Sequence, residues 1–173
     1  MLSGTVFLAN NTSIGGAGNI AINGVVSDAS AYRGVLLNAF LRLIGYVSGS
    51  YNLLGASLTK EGDGTLTLSN SNRYSGRTTI NDGTLAITSD SSLGSAPLLL
   101  ANPSLLRLNG GTLLALENLS LNTKRGITLS GSGGLAAAQN VTFTIGSVIT
   151  GDGELVINSD SLGAVQLSGR NTY

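Results

Sequence analysis

Carboxylates are the side chains this sequence offers for general acid–base chemistry, because its 173 residues include no histidine and no cysteine. That double absence removes Ser-His-Asp and Cys-His nucleophile systems, thiolate and imidazole zinc sites, and disulfides. The remaining constellations are Glu61 with Asp63, Asp152 with Glu154, and Asp160. Each pair is two residues apart, so on a strand both carboxylates would share a face and could act as acid and base or hold calcium. However, Asp63 and Asp152 each stand in a Gly-Asp-Gly turn. A short carboxylate there is favoured for its hydrogen bonds to the turn's own amides. The turn reading is preferred, and no catalytic, cofactor-binding or metal-binding residue is expected.

Other sites fail in detail. Ile20 stands in the Gly-rich stretch Gly15–Ile22 where a calcium-binding nonapeptide needs an aspartate. The glycine runs lack the lysine and hydroxyl of a phosphate-binding loop. Formal net charge is zero and the charged fraction 10%, with bases scattered apart from the adjacent Lys124 and Arg125, so the overall charge pattern marks neither nucleic acid nor an anionic membrane as an expected partner. The longest apolar stretch, Val35 to Val47, holds Asn38, Arg42 and Gly45 and is too short to span a bilayer. The N-terminus has neither a basic nor a long apolar region, so an exported protein would carry this chain as an internal piece.

The elements that would position any site are short apolar pulses: Thr5–Leu8, Ile20–Val26, Thr65–Leu68, Thr84–Ile87, Leu98–Leu100, Leu105–Leu108, Leu119–Leu121, Ile127–Leu129, Val141–Ile145, Leu155–Ile157 and Val165–Leu167. Turn formers bound them, as at Gly62–Gly64, Asn81–Gly83, Asn109–Gly111 and Gly151–Gly153. Strands this short suit a solenoid whose coils stack on one another. Leu66, Leu68, Leu85 and Ile87 would face inward and Thr65, Thr67 and Ala86 outward. Asn72 and Asn81 are candidates for stacking at corners.

The run Leu58–Ile87, LTKEGDGTLTLSNSNRYSGRTTINDGTLAI, is partly repeated further on. Gly64, Leu68, Ser69, Asn72 and Tyr74 recur at Gly163, Leu167, Ser168, Asn171 and Tyr173, all at an offset of 99 residues, with Val165 for Leu66. Ser159 and Ser161 replace Lys60 and Gly62 in the second copy. The first copy resembles the autotransporter-associated β-strand repeat of the secreted passenger regions of bacterial autotransporter adhesins. Residues 58–87 are read as a full repeat and 149–173 as a partial one, within a single β-solenoid segment, 1–173, of a longer passenger.

An insertion is expected at 29–57. Leu36, Phe40, Leu43 and Val47 recur at helical spacing, which favours a short helix near 33–47; a further strand pair turning at Gly45 and Gly49 is the alternative. As a protrusion from a regular scaffold, the insertion could contact a partner through Tyr32, Arg33, Phe40, Arg42, Tyr46 and Tyr51.

The resemblance implies an all-β, right-handed parallel β-helix and a structural role, as the passenger stem of a secreted or cell-surface autotransporter-like adhesin that supports outer-membrane secretion and surface display. It implies an outer-membrane translocator as partner and a host receptor or glycan as ligand. The expected scaffold positions are Gly64, Leu66, Leu68, Asn72, Tyr74, Gly76, Gly83, Gly163, Leu167, Asn171 and Tyr173. Two alternatives stay open: a polysaccharide-active β-helix enzyme, and a self-assembling β-solenoid surface fibre module that associates end to end.

Overall fold

Short alternating strands separated by glycine corners wind into a parallel β-helix. The computed structural model describes residues 1–8, 11–28, 55–157 and 163–173. On the first face lie, in stacking order, β2 (Thr12–Gly15), β5 (Leu58–Glu61), β7 (Thr78–Ile80), β9 (Asn102–Leu108), β12 (Arg125–Leu129) and β15 (Ile149–Gly151). On the second lie β3 (Ile20–Ile22), β6 (Thr65–Leu68), β8 (Thr84–Ile87), β10 (Thr112–Ala115), β13 (Gly133–Ala137) and β16 (Leu155–Ile157). The third face begins with the pair β1 (Val6–Leu8) and β4 (Val26–Asp28) and ends with β11 (Leu119–Leu121), β14 (Thr142–Ile145) and β17 (Ala164–Leu167).

The register explains which residues form the core. Ile20, Leu66, Leu85, Leu113, Leu135 and Ile157 are partners in turn across the second face. Ile14, Lys60, Ile80, Leu108 and Leu129 do the same across the first. Parallel in-register pairing stacks aliphatic on aliphatic along most of both rows, with Lys60 as the exception in the first and Ile157 41% exposed at the end of the second; burial is worth roughly 1.5–3 kcal/mol per large side chain. Thr65 and Thr67 face outward as the alternation requires, but Ala86 is buried between Thr67 and Leu114 in its row. Its small side chain lies below the level of its neighbours.

Between β4 and β11 the third face has no regular strand at two levels. Residues 71–75 cross the first, where Arg73 N–H donates to Val26 O at 2.7 Å. A single 3-10 turn, Asp90–Leu93, crosses the second, and Ser91 O accepts from Asn72 N–H at 2.9 Å. The backbone ladder therefore passes through these levels with fewer bonds than a strand would make. Large side chains fill the space instead.

One segment departs from the expected pattern, and another lies outside the described residues. Leu98–Leu100, one of the apolar pulses, is not a strand: it is a loop between the 3-10 turn and β9, with the three leucines 88%, 88% and 83% exposed. The first-face ladder also spans unequal lengths of chain: Thr12 partners Leu58, whereas Lys60 partners Ile80. Residues 29–54 fall inside the longer interval, so the expected helix near 33–47 and Tyr32, Arg33, Phe40, Arg42, Tyr46 and Tyr51 lie outside the described residues.

Candidate functional site

The carboxylates sit where the first face turns into the second. Glu61 is the last residue of β5 and Asp63 stands in the β5–β6 turn, while Asp152 and Glu154 belong to the β15–β16 turn. Those turns are four strand spacings apart, about 19 Å, against the roughly 5–9.5 Å between the carboxyls of glycoside-cleaving pairs. Glu61 is committed to the scaffold: its Oε1 accepts from Asn81 Nδ2 at 2.7 Å, and Asn81 Oδ1 accepts from Asn109 Nδ2 at 3.1 Å. Asp82 accepts from its own turn, at Gly83 N–H, 2.7 Å. Among the described residues no group of three or more acidic side chains is placed to hold a metal ion. Asp160 lies outside them.

Lys60 occupies an inward position between Ile14 and Ile80 and is 2% exposed. Its Nζ turns back to the corner and donates to Glu61 O at 2.7 Å, to Gly62 O, and to Asp82 O at 3.2 Å. Burial pulls its pKa below the usual lysine value, and the nearby carboxylates of Asp82, Asp63 and Glu61 oppose that shift. An ammonium so occupied closes a turn and offers no nucleophile.

The asparagines join coils in a second way. Asn72 is buried; its Oδ1 accepts from Val26 N–H on the coil before at 2.7 Å, and its Nδ2 donates to Ser92 O on the coil after at 2.6 Å. Asn171 Oδ1 likewise accepts from Ile149 N–H of the preceding coil at 3.0 Å. Yet the two copies of the motif lie on different faces. Leu68 is in β6 on the second face and fully buried; Leu167 is in β17 on the third face and 36% exposed. Every face needs the same local unit, an inward leucine followed by an asparagine corner, so the motif specifies a strand and its corner without specifying which face carries them.

The remaining scaffold positions follow the stacking. Leu66 is fully buried, and Gly76 N–H donates to Ala56 O at 3.1 Å. Gly163 N–H donates to Ala137 O at 3.2 Å, and Gly64 N–H to Gly16 O at 3.0 Å. Gly83 has φ +59, a left-handed turn that also brings its Cα against the backbone of the coil before. Tyr74 is fully buried while its sequence equivalent Tyr173, on the last coil, is 53% exposed. The Tyr74 hydroxyl is hydrogen-bonded to Thr78 Oγ1 at 2.8 Å, and burial pushes the phenol pKa up to about 12.

Beside Tyr74 lies the main feature that the sequence did not disclose. Arg125, at the start of β12, is 1% exposed and hydrogen-bonds to the 3-10 turn of the third face. Its Nε and Nη2 donate to the two Asp90 carboxylate oxygens at 2.9 and 3.2 Å. Nη1 donates to Leu93 O and Nη2 to Gly94 O, each at 2.9 Å. The guanidinium thus replaces the missing strand ladder at this level. Asp90 and Arg125 are distant in sequence and neither belongs to a motif, so no local signal pairs them.

At the base of the 29–54 segment, Asp28 Oδ2 accepts from Ala56 N–H at 3.0 Å and Ser75 N–H at 2.8 Å, which ties both flanks to the next coil. The side chains brought together here, carboxylate, amide, guanidinium and phenol, are engaged with turns and neighbouring coils, and the arrangement is that of a scaffold.

Comparison with known proteins agrees with that geometry. Residues 58–87 match the family described as passenger-associated-transport-repeat. The chain is similar to the adhesin BmaC autotransporter of Brucella suis biovar 1 (strain 1330), with 37% identity over 94 residues, 54% of this chain and 2% of that protein. It therefore spans about one-fiftieth of that relative's length. No solved structure matches.

Proposed function

We propose that this chain, which carries an autotransporter passenger repeat at 58–87, is a stem segment of the passenger of a secreted or cell-surface adhesin, non-enzymatic in itself. In this reading it folds coil by coil outside the cell, and that folding assists passage through an outer-membrane translocator. The observation that carries the reading is the inward aliphatic column of the second face, Ile20, Leu66, Leu85, Leu113, Leu135 and Ile157, which runs through six stacked levels. Each coil added buries apolar area against the last, so folding at the exit can proceed stepwise without ATP. Absence of cysteine removes any disulfide that would hinder threading.

The test is display. The chain is fused between a signal peptide and a translocator barrel, and surface arrival is followed by protease accessibility. Leu85→Asp and Leu113→Asp, which break inward columns, should slow arrival several-fold, while the outward Thr67→Asp should not. Equal rates for all three would refute the stem reading. Receptor or glycan contact is proposed for the insertion at 29–57. Deleting residues 29–54, whose flanks Asp28 and Ala56 are already hydrogen-bonded, should abolish adhesion and leave the stem displayed.

A further inference from the structure

We propose that the Leu98–Leu100 loop is a membrane-contacting tip that inserts its leucines into an anionic phospholipid bilayer. Three adjacent leucines at 83–88% exposure form the longest run of exposed large apolar side chains among the described residues. Scattered exposed leucines need no explanation, but a contiguous triplet raised on a loop does. The loop is built to present them. Its base is fixed on both sides, by Ser95 N–H to Tyr74 O and Asn102 N–H to Lys124 O, each at 2.9 Å. Pro97 and Pro103 bracket the tip and restrict its backbone further. A pre-ordered tip loses little conformational freedom on docking.

Charge selects the occupant. Lys124 Nζ donates to the Leu98 carbonyl, and Arg77 Nε donates to Ser104 O at 2.7 Å, so a cation is tied to each flank of the tip. Both retain free N–H donors for phosphate oxygens. No acidic residue occurs from Ser95 to Arg107; Asp90, before it in sequence, is neutralised by Arg125, and Asp28, which accepts from Ser75 at the edge of the neighbouring groove, is buried at 1% exposure. Leucines between two cations match the order of a bilayer surface, acyl chains beneath anionic headgroups. Beside the tip runs an open groove of about 480 Å³ of mixed lining, with Pro97, Leu100 and Leu105 on its apolar side and Ser75, Ser95 and Asn102 on its polar side. This inference does not depend on the stem reading.

The test is co-sedimentation of the whole 173-residue chain with phosphatidylcholine vesicles, with and without phosphatidylglycerol. Binding is expected for the anionic vesicles only and should weaken at high salt. Leu98→Ser with Leu99→Ser and Leu100→Ser should weaken it about tenfold or more, with an unchanged unfolding midpoint because the side chains touch little in the fold. Arg77→Gln with Lys124→Gln provides an independent arm and should remove the preference for phosphatidylglycerol. The proposal is overturned if the wild-type chain binds neither vesicle, or if the leucine variant binds as well as wild type. It is equally overturned if the wild-type chain sediments as a dimer that the leucine variant dissociates, since the leucines would then cover a second copy.

Discussion

Replacing Arg125 by alanine should be among the most damaging single substitutions in this protein. The guanidinium is 1% exposed and satisfies three acceptors at once: the Asp90 carboxylate, Leu93 O and Gly94 O. Breaking a buried pair by removing one member costs about 3–5 kcal/mol, because the other charge stays behind without compensation. The Asp90 side chain is 21% exposed and can regain some water, which places the expected loss near the lower end, about 3 kcal/mol. Against a total stability of about 5–15 kcal/mol, that is a large share. Urea unfolding of wild type and variant measures it, and amide exchange should localise the loosening to residues 90–95 and Tyr74. Arg125→Met combined with Asp90→Leu is expected to recover most of the loss, since an apolar pair of similar volume leaves no buried charge. A loss under about 1 kcal/mol for Arg125→Ala, or a double variant no better than the single, would refute the idea that this guanidinium stands in for the missing strand ladder.

Three further outcomes follow from the same geometry. The Tyr74 phenol has a pKa of about 12 when folded against 10.0 otherwise; the folded chain keeps a proton that the unfolded chain loses, so its stability is full below pH 10 and falls from about pH 10 to about pH 12. Tyr74→Phe should remove that alkaline decline and cost about 1 kcal/mol at neutral pH, read from urea midpoints, because Thr78 Oγ1 loses its partner. Gly94 sits at φ +75, and a Cβ there would fall against the Tyr74 carbonyl oxygen and 3.0 Å from its ring carbons. Gly94→Ala is therefore expected to cost about 1–3 kcal/mol, and an unchanged melting temperature would disprove the close packing. Asn81→Asp replaces the donor to Glu61 with a second carboxylate; it should destabilise by about 1 kcal/mol or more beyond Asn81→Ala, with the gap narrowing at high salt.

Much of the architecture was legible because it is local. Alternating leucines and threonines fix which side of a strand is dry, and glycine and asparagine mark where it must turn; residues 65–68 and 84–87 carry both signals and form β6 and β8. Leu98–Leu100 show the limit of that reading. A three-residue apolar run is equally compatible with a strand or an exposed loop, and here residues 98–100 form a loop that ends where β9 begins at Asn102. The 99-residue repeat shows another limit, since it identified a strand and its asparagine corner but not the face on which they lie.

By itself, then, the sequence determined the short strands, the glycine corners, the solenoid class and the absence of histidine and cysteine chemistry, all of which depend on residue type and near-neighbour spacing, while the parallel arrangement of the coils was implied by the resemblance of residues 58–87. Only the tertiary structure decided that Glu61, Asn81 and Asn109 form one ladder, that Lys60 closes a turn from a core position, and that Arg125 reaches Asp90 across the third face. Those contacts join residues 20 to 35 positions apart, or in the case of Lys60 depend on a side chain doubling back from the core. Such pairings are set by the stacking register of the coils, and the register depends on how much chain each coil consumes. Coil length varies from level to level here, so no fixed spacing in the sequence could have revealed them.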